Sequence, residues 1–135
     1  MIEITEFLDP AILHEKLLRE RATQSKVSRS RQFIAHFDGR EAGYMSFDDR
    51  SDIEVGIIYD LLILPQYRRK RIGLALVNKA EIISRSLGYR RMRTCPRAFD
   101  ESVDQNWLEL WYINHGYRPA EDGTQEYEKP LAKYV

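Results

Sequence analysis

With 135 residues and 43% hydrophobic content, the chain has apolar material for one core and too little for two comfortable ones, so a single domain over residues 1–135 is expected. Its 21 Lys and Arg balance 21 Asp and Glu at a formal net charge of zero, which disfavours nucleic acid as the main partner, because phosphate backbones select strongly basic domains. No apolar run reaches bilayer length and MIEITEFLDP lacks the basic start and apolar centre of a secretion signal, so the expectation is no membrane contact and a cytoplasmic location. One cysteine, Cys95, and three separated histidines, His14, His36 and His115, offer neither an internal disulfide nor metal-ligand spacing, and no metal is expected.

In chain order, IEITEF alternates as a strand. Asp9 and Pro10 then supply an N-cap and first-turn proline for a helix carrying Ile12, Leu13, Leu17 and Leu18. Arg21 to Arg31 is polar and aperiodic, and reads as helix end and substrate-side loop with little reason to be core. Two alternating runs flank Asp38-Gly39, a hairpin dipeptide, and predict two antiparallel strands. The nearly unbroken apolar run from Val55 to Leu64 predicts a central strand covered on both faces.

From Ile72 the period becomes helical through Leu76, Ala80, Ile83 and Leu87, with Gly88 at the end. YRRMRTCP predicts a strand stopped by Pro96. Ser102 and Gln105 stand at capping-box spacing before a second buried helix, in which Trp107 and Trp111 share one side and Gly116 terminates the run. The tail, QEYEKPLAKYV, alternates again and predicts a closing strand, with Pro130 pointing to an edge.

Between the central strand and the following helix stand four consecutive cations, Arg68, Arg69, Lys70 and Arg71. A strand that runs through a short loop into a helix start presents unpaired backbone N–H groups at the positive end of the helix dipole. The cations add mobile charge, and Gly73 removes a side chain where a ligand approaches the first turn. The arrangement suits a pyrophosphate; the alternatives are a solvated loop, or a nucleic-acid patch extended by Arg90, Arg91, Arg93 and Arg97.

These residues resemble the GNAT superfamily of acyl-coenzyme A dependent N-acetyltransferases. In that family a loop reading Arg or Gln, x, x, Gly, x, Gly or Ala, usually after Pro-x-Tyr, follows the central strand. Pro65, Tyr67, Arg68, Ile72 and Gly73 match that pattern, whereas Arg71 occupies the first glycine position. LWYINHGY is similar to the family's helix ending in Leu-Tyr, three residues, Gly, aromatic. The resemblance implies an α/β fold: a mixed, mostly antiparallel sheet with a splayed central strand pair and flanking helices. It also implies acetyl-CoA as cosubstrate, an amine acceptor, and transfer by direct attack. Arginine at the glycine position would cost about 1–2 kcal/mol if a left-handed backbone is required there.

By the same resemblance, Leu62, Ile63 and Leu64 flank the pantetheine with their backbone, Arg68, Arg69, Lys70, Arg71, Ile72, Gly73 and Leu74 hold the phosphates, and Tyr112 is the general acid toward the coenzyme A sulfur. On spacing alone Tyr112 is an ordinary core aromatic beside Trp107, Leu108 and Trp111. For the base, Glu54 and Asp60 lie at the start of and within an apolar run, where partial burial would raise a carboxyl pKa. The alternatives are that Asp60 faces a solvated cleft or pairs with a residue of the second or third strand, and that Glu54 merely opens its strand at the surface, with water carrying the proton. Cys95 reads as a small core side chain, and His115 as a helix C-terminal cation.

Asp38, Glu41, Asp48, Asp49, Asp52, Glu54 and Asp60 make the hairpin region acidic, which would steer a cationic amine there; the acceptor is left open between a small molecule and a protein amine. The alternative function is a non-catalytic coenzyme A binding or regulatory module on the same fold. Arg71 favours that alternative and Tyr112 favours the transferase. Dimerisation is common in the family, so a homodimer is compatible with the resemblance.

Overall fold

The computed structural model describes residues 1–97 and 103–132. In chain order it contains β1 (Ile2–Phe7), α1 (Lys16–Ser25), β2 (Ser30–Phe37), β3 (Arg40–Arg50), β4 (Val55–Ile63), α2 (Ile72–Ser86), β5 (Arg91–Thr94), α3 (Gln105–Asn114), β6 (Arg118–Pro119) and β7 (Tyr127–Pro130). One sheet runs β1-β2-β3-β4-β5-β7-β6, with β4 at its centre. Every neighbouring pair is antiparallel except β4 and β5.

Asp38 and Gly39 both take positive φ, 48° and 83°, and close the β2–β3 hairpin as their sequence predicts. A one-residue period shift would bury the wrong face of such a hairpin, so register follows the apolar alternation. Leu18 and Ala22 of α1 pack on one sheet face with Phe7, Ile34, Tyr44, Leu62 and Leu64. Ile72, Leu76, Val77, Ala80 and Ile83 of α2 cover the other, against Phe33, Met45, Phe47, Ile58 and Met92. Each large side chain so buried contributes about 1.5–3 kcal/mol. Gly56 allows this approach: a Cβ there would lie 2.0 Å from the Ser84 hydroxyl of α2.

Several local expectations change. Asp9 does cap Pro10, with its side chain accepting from the Ala11 N–H, but the result is a single 3-10 turn over Pro10–Ile12, and α1 starts only at Lys16. The segment read as helix end and loop from Arg21 to Arg31 holds the last turn of α1, a short connection and the start of β2. Ala22 and Ser25 are buried there, Ala22 by packing on the sheet and Ser25 with its hydroxyl hydrogen-bonded to Tyr44 and Asp60.

α3 is capped by Asp104, whose carboxylate accepts from the N–H groups of Asn106 and Trp107; Gln105 is its first residue, and Ser102 lies outside the described residues. The helix is less buried than its composition predicts: Tyr112 is enclosed, while Trp107 and Leu110 are 59% and 56% exposed. β7 ends at Pro130, the last residues of the predicted tail strand lying outside the described residues. β7 does not form the sheet edge over its whole length, because β6 pairs with Tyr127 and Glu128; Pro130 sits beyond the reach of that two-residue strand.

Candidate active site

β4 and β5 run together only from Val55↔Arg91 to Ile58↔Thr94. Beyond that point β5 stops ahead of Pro96, while β4 continues along β3 to Ile63, so a gap opens in the middle of the sheet from Tyr59 onward. On the β3 side, Phe47 faces Ile58 and Ser46 faces Asp60, which leaves Tyr59 as the extra residue of a bulge. One inserted residue exchanges the faces of everything after it. Gly56 and Ile58 therefore face α2, whereas Asp60, Leu62 and Leu64 turn toward α1. Tyr59 itself is left half open, at 51% exposure.

The gap holds a cavity of about 320 Å³ lined by, among others, Arg21, Asp60, Thr94, Arg97 and Tyr112. Tyr112 projects from α3 with only 3% of its surface exposed. Trp111 and Tyr117 meet its ring edge-on, with centroids at 5.1 and 5.3 Å, and fix its orientation. Burial pushes the phenol up to about 12, against a smaller opposing effect of its hydrogen bond with Thr94. It is consequently protonated at neutral pH and available as a donor.

Asp60 overturns the expectation of a raised carboxyl pKa. Burial does push it upward, as foreseen, yet Arg21, Ser25 and Tyr44 together hold it below the usual carboxylate range. Arg21 donates Nε and Nη2 to its two oxygens at 2.9 and 3.3 Å, Ser25 Oγ donates at 2.6 Å, and the Tyr44 phenol donates to Oδ2. A carboxylate so occupied is a poor base and a good anchor between α1 and β4. Glu54 lies in the exposed turn before β4 with φ 56°, and it does not line the cavity. The two carboxylates proposed as base are thus not brought together at the gap.

At the far end of β4 the chain makes a 3-10 turn over Pro65–Tyr67 and enters α2. Tyr67 and Lys70 both rest on Phe37, at 6.1 Å between rings and 5.2 Å from Nζ to ring centroid, which docks the loop on the sheet. Arg71 is the N-cap of α2 and takes φ 64°, ψ 19°, the left-handed region that its motif position favours glycine for. Arg69 also has φ 64°.

No side chain caps α2. Its first intrahelical bond runs from Ala75 N–H to Arg71 O, so the N–H groups of Ile72, Gly73 and Leu74 precede the ladder. A Cβ on Gly73 would meet only Ile63, at 3.9 Å, and the space beside the first turn is otherwise open. Uncapped N–H groups, an open approach and flanking cations fit a polyphosphate anion.

The backbone expectation for Leu62, Ile63 and Leu64 needs correction. Leu64 donates its N–H to Ala42 O of β3 at 2.8 Å. Leu62, paired with Tyr44, lies in the same phase of the ladder, so the strand's alternation turns the N–H groups of Ile63 and Leu61 toward the gap instead. Leu61 was not foreseen, and neither was Tyr59: both depend on the bulge, which apolar periodicity does not reveal. Arg21, Ser25 and Tyr44 were missed because their partner is far away in sequence.

Several of the acidic side chains expected to mark the acceptor side are engaged within the fold. Asp38 binds the N-terminal amine at 2.5 Å, Glu41 accepts from the N–H groups of His14 and Glu15, Asp49 accepts from Tyr89, and Asp52 pairs with Arg29 and Arg50. Cys95 is half-buried on the cavity wall rather than in the core. His115 follows α3 with Nδ1 2.7 Å from Trp111 O. Among the described residues, no group of three or more His, Cys, Asp or Glu side chains is arranged to hold a metal, and no helix is long and apolar enough to cross a membrane.

A family model described as "Acetyltransferase (GNAT) domain" matches residues 28–119. The chain belongs to the GNAT acetyltransferase family. Among the described residues, its open, seven-stranded mixed sheet with three helices matches the α/β fold of that family. Similar solved structures include a ribosomal-protein alanine N-acetyltransferase from Escherichia coli, at 15% identity, covering 100% of this chain and 97% of that one, with a TM-score of 0.71. An IAA acetyltransferase from Bacillus cereus is 16% identical over 97% of this chain and 100% of that one, with a TM-score of 0.71. A PaiA N-acetyltransferase from Thermoplasma acidophilum, solved in complex with coenzyme A, is 16% identical over 97% and 99%, with a TM-score of 0.66. At such identities the likeness to this GNAT chain speaks for the fold. No curated protein sequence gives a significant match.

Proposed function

We propose that the protein is an N-acyltransferase that takes the acetyl group of acetyl-CoA and delivers it to a primary amine by direct attack. Acetyl-CoA supplies the activated thioester. The uncapped N–H groups of Ile72, Gly73 and Leu74 bind its pyrophosphate, with Arg68, Arg69, Lys70 and Arg71 placing positive charge around the phosphates. Ile63 and Leu61 offer N–H groups along the gap to the pantetheine arm.

Tyr112 holds a proton at its phenol oxygen and donates it to the departing sulfur. Its high pKa keeps it protonated over the working range. Asp60 positions the α1 end against β4, and the amine loses its proton to water. The observation that carries this reading is the buried, protonated Tyr112 on the wall of the gap between β4 and β5.

Tyr112→Phe tests it. Phenylalanine preserves nearly all of the buried ring, so fold and donor affinity should persist while turnover falls by about 10²–10⁴, the usual worth of general acid catalysis. Unchanged turnover with chemistry rate-limiting would return Tyr112 to a packing role.

A further inference from the structure

The cavity's charge is opposite to what the acidic hairpin leads one to expect. Among the described residues, it is lined by two guanidinium groups, Arg21 and Arg97, and one carboxylate, Asp60. That carboxylate is already engaged by Arg21, Ser25 and Tyr44. Arg97 is exposed, and its guanidinium lies beside the Cys95 thiol and within electrostatic reach of Tyr59 and Asp60. It stands on the wall shared with a second cavity of about 560 Å³. Among the described residues, two carboxylates border that second space: Glu109, which accepts from the Tyr127 phenol at 2.9 Å, and Glu126, which pairs with Arg93 at 3.5 Å.

Among the described residues, an acceptor with several ammonium groups would find no open carboxylate on the wall of the cavity in the gap, where two guanidinium groups face the single, already engaged carboxylate of Asp60. Resting on the transferase reading above, we propose that the acceptor is a small amine bearing a carboxylate close to its nucleophilic nitrogen, as in an amino acid, with the carboxylate held by Arg97. The guanidinium fork matches a carboxylate in shape as well as charge. The positive surroundings also favour the neutral form of the incoming amine. In the transfer, the amine nitrogen forms a bond to the acetyl carbon, the carbon–sulfur bond breaks, and the proton shed by nitrogen is balanced by the one gained at sulfur. The products are an N-acetyl amino acid and free coenzyme A.

The test uses amines matched except for the carboxylate: phenylalanine against phenethylamine, lysine against cadaverine, and spermidine as the polycation. Initial rates with acetyl-CoA should favour the carboxylated member of each pair by about 10- to 100-fold in kcat/KM, the range of a charge-assisted hydrogen bond. Arg97→Gln should collapse that ratio toward one by raising KM for the amino acid, and Arg97→Lys should retain part of it. The acetyl-CoA thermal shift of each variant reports whether it is folded. Preference for cadaverine or spermidine, or an unaltered ratio in Arg97→Gln, overturns this inference and leaves the transferase reading intact. No thiol release with any amine overturns the transferase reading and this inference with it.

Discussion

Asp60 and Arg71 each sit in a position whose local chemistry runs against their type. Burial raises the free energy of the Asp60 carboxylate, and three donors more than offset it, so its pKa falls below the ordinary value of 3.8. A depressed carboxyl contributes stability that is present above the unfolded-state pKa and lost as pH falls through the folded one. Asp60→Asn should therefore cost about 1–2 kcal/mol at neutral pH, the lower part of the range for a broken pair because Arg21 remains 36% exposed. The variant's stability should also lose less than the wild type's below pH 4, which denaturant titrations at pH 7 and pH 3 would read. Parallel pH profiles for the two proteins would contradict the assignment.

Arg71 holds the left-handed conformation at a cost of about 1–2 kcal/mol. Arg71→Gly recovers that strain and gives back about 0.5–1 kcal/mol through the freer unfolded chain. The variant should be more stable by about 0.5–1 kcal/mol, with acetyl-CoA affinity falling less steeply as salt rises, because one phosphate-neutralising charge is gone. Calorimetry at two salt concentrations decides the second point. A steeper salt dependence would assign Arg71 a different role.

Among elements, the uncapped start of α2 is the piece most legible in the sequence. Pro65, Tyr67, Arg68 and Gly73 mark the loop, and the switch from an apolar run to helical spacing at Ile72 marks the helix, because both are local signals. If the helix start binds phosphate, acetyl-CoA should raise the melting temperature by linkage, and Arg68→Glu should abolish that rise while circular dichroism stays unchanged. A preserved shift would detach the cations from donor binding.

The gap beside β4 was only half legible. Val55 to Leu64 predicts the central strand, yet the extra residue at Tyr59 is hidden in a continuous apolar run, and with it the faces of Asp60 and Leu61 and the phase of the backbone N–H groups. The burial of the last turn of α1 was hidden for another reason. Ala22 and Ser25 are buried by what they pack against, 10 to 35 residues away, which no local pattern carries. β6, two residues long, is too short for any periodicity.

For the whole molecule, α1 covers one face of the sheet, α2 covers the other, and the single parallel junction at its centre is where the strands part. Charge follows the same plan: acidic side chains such as Asp38 and Asp52 tie the fold together, and cations stand at the α2 start and on the gap wall. Net neutrality over the chain conceals this separation, so composition alone points to neither ligand. The proposed reaction is transfer of an acetyl group from thioester to nitrogen. Its most direct measurement is mass spectrometry of reactions containing acetyl-CoA labelled in the acetyl group, an amino acid and the wild-type protein. The expected product is the intact labelled acetyl group in amide linkage on the amine nitrogen, formed in equal amount with free coenzyme A and only when protein is present. Coenzyme A release with the label recovered solely as acetate, across the whole set of amines, would contradict it.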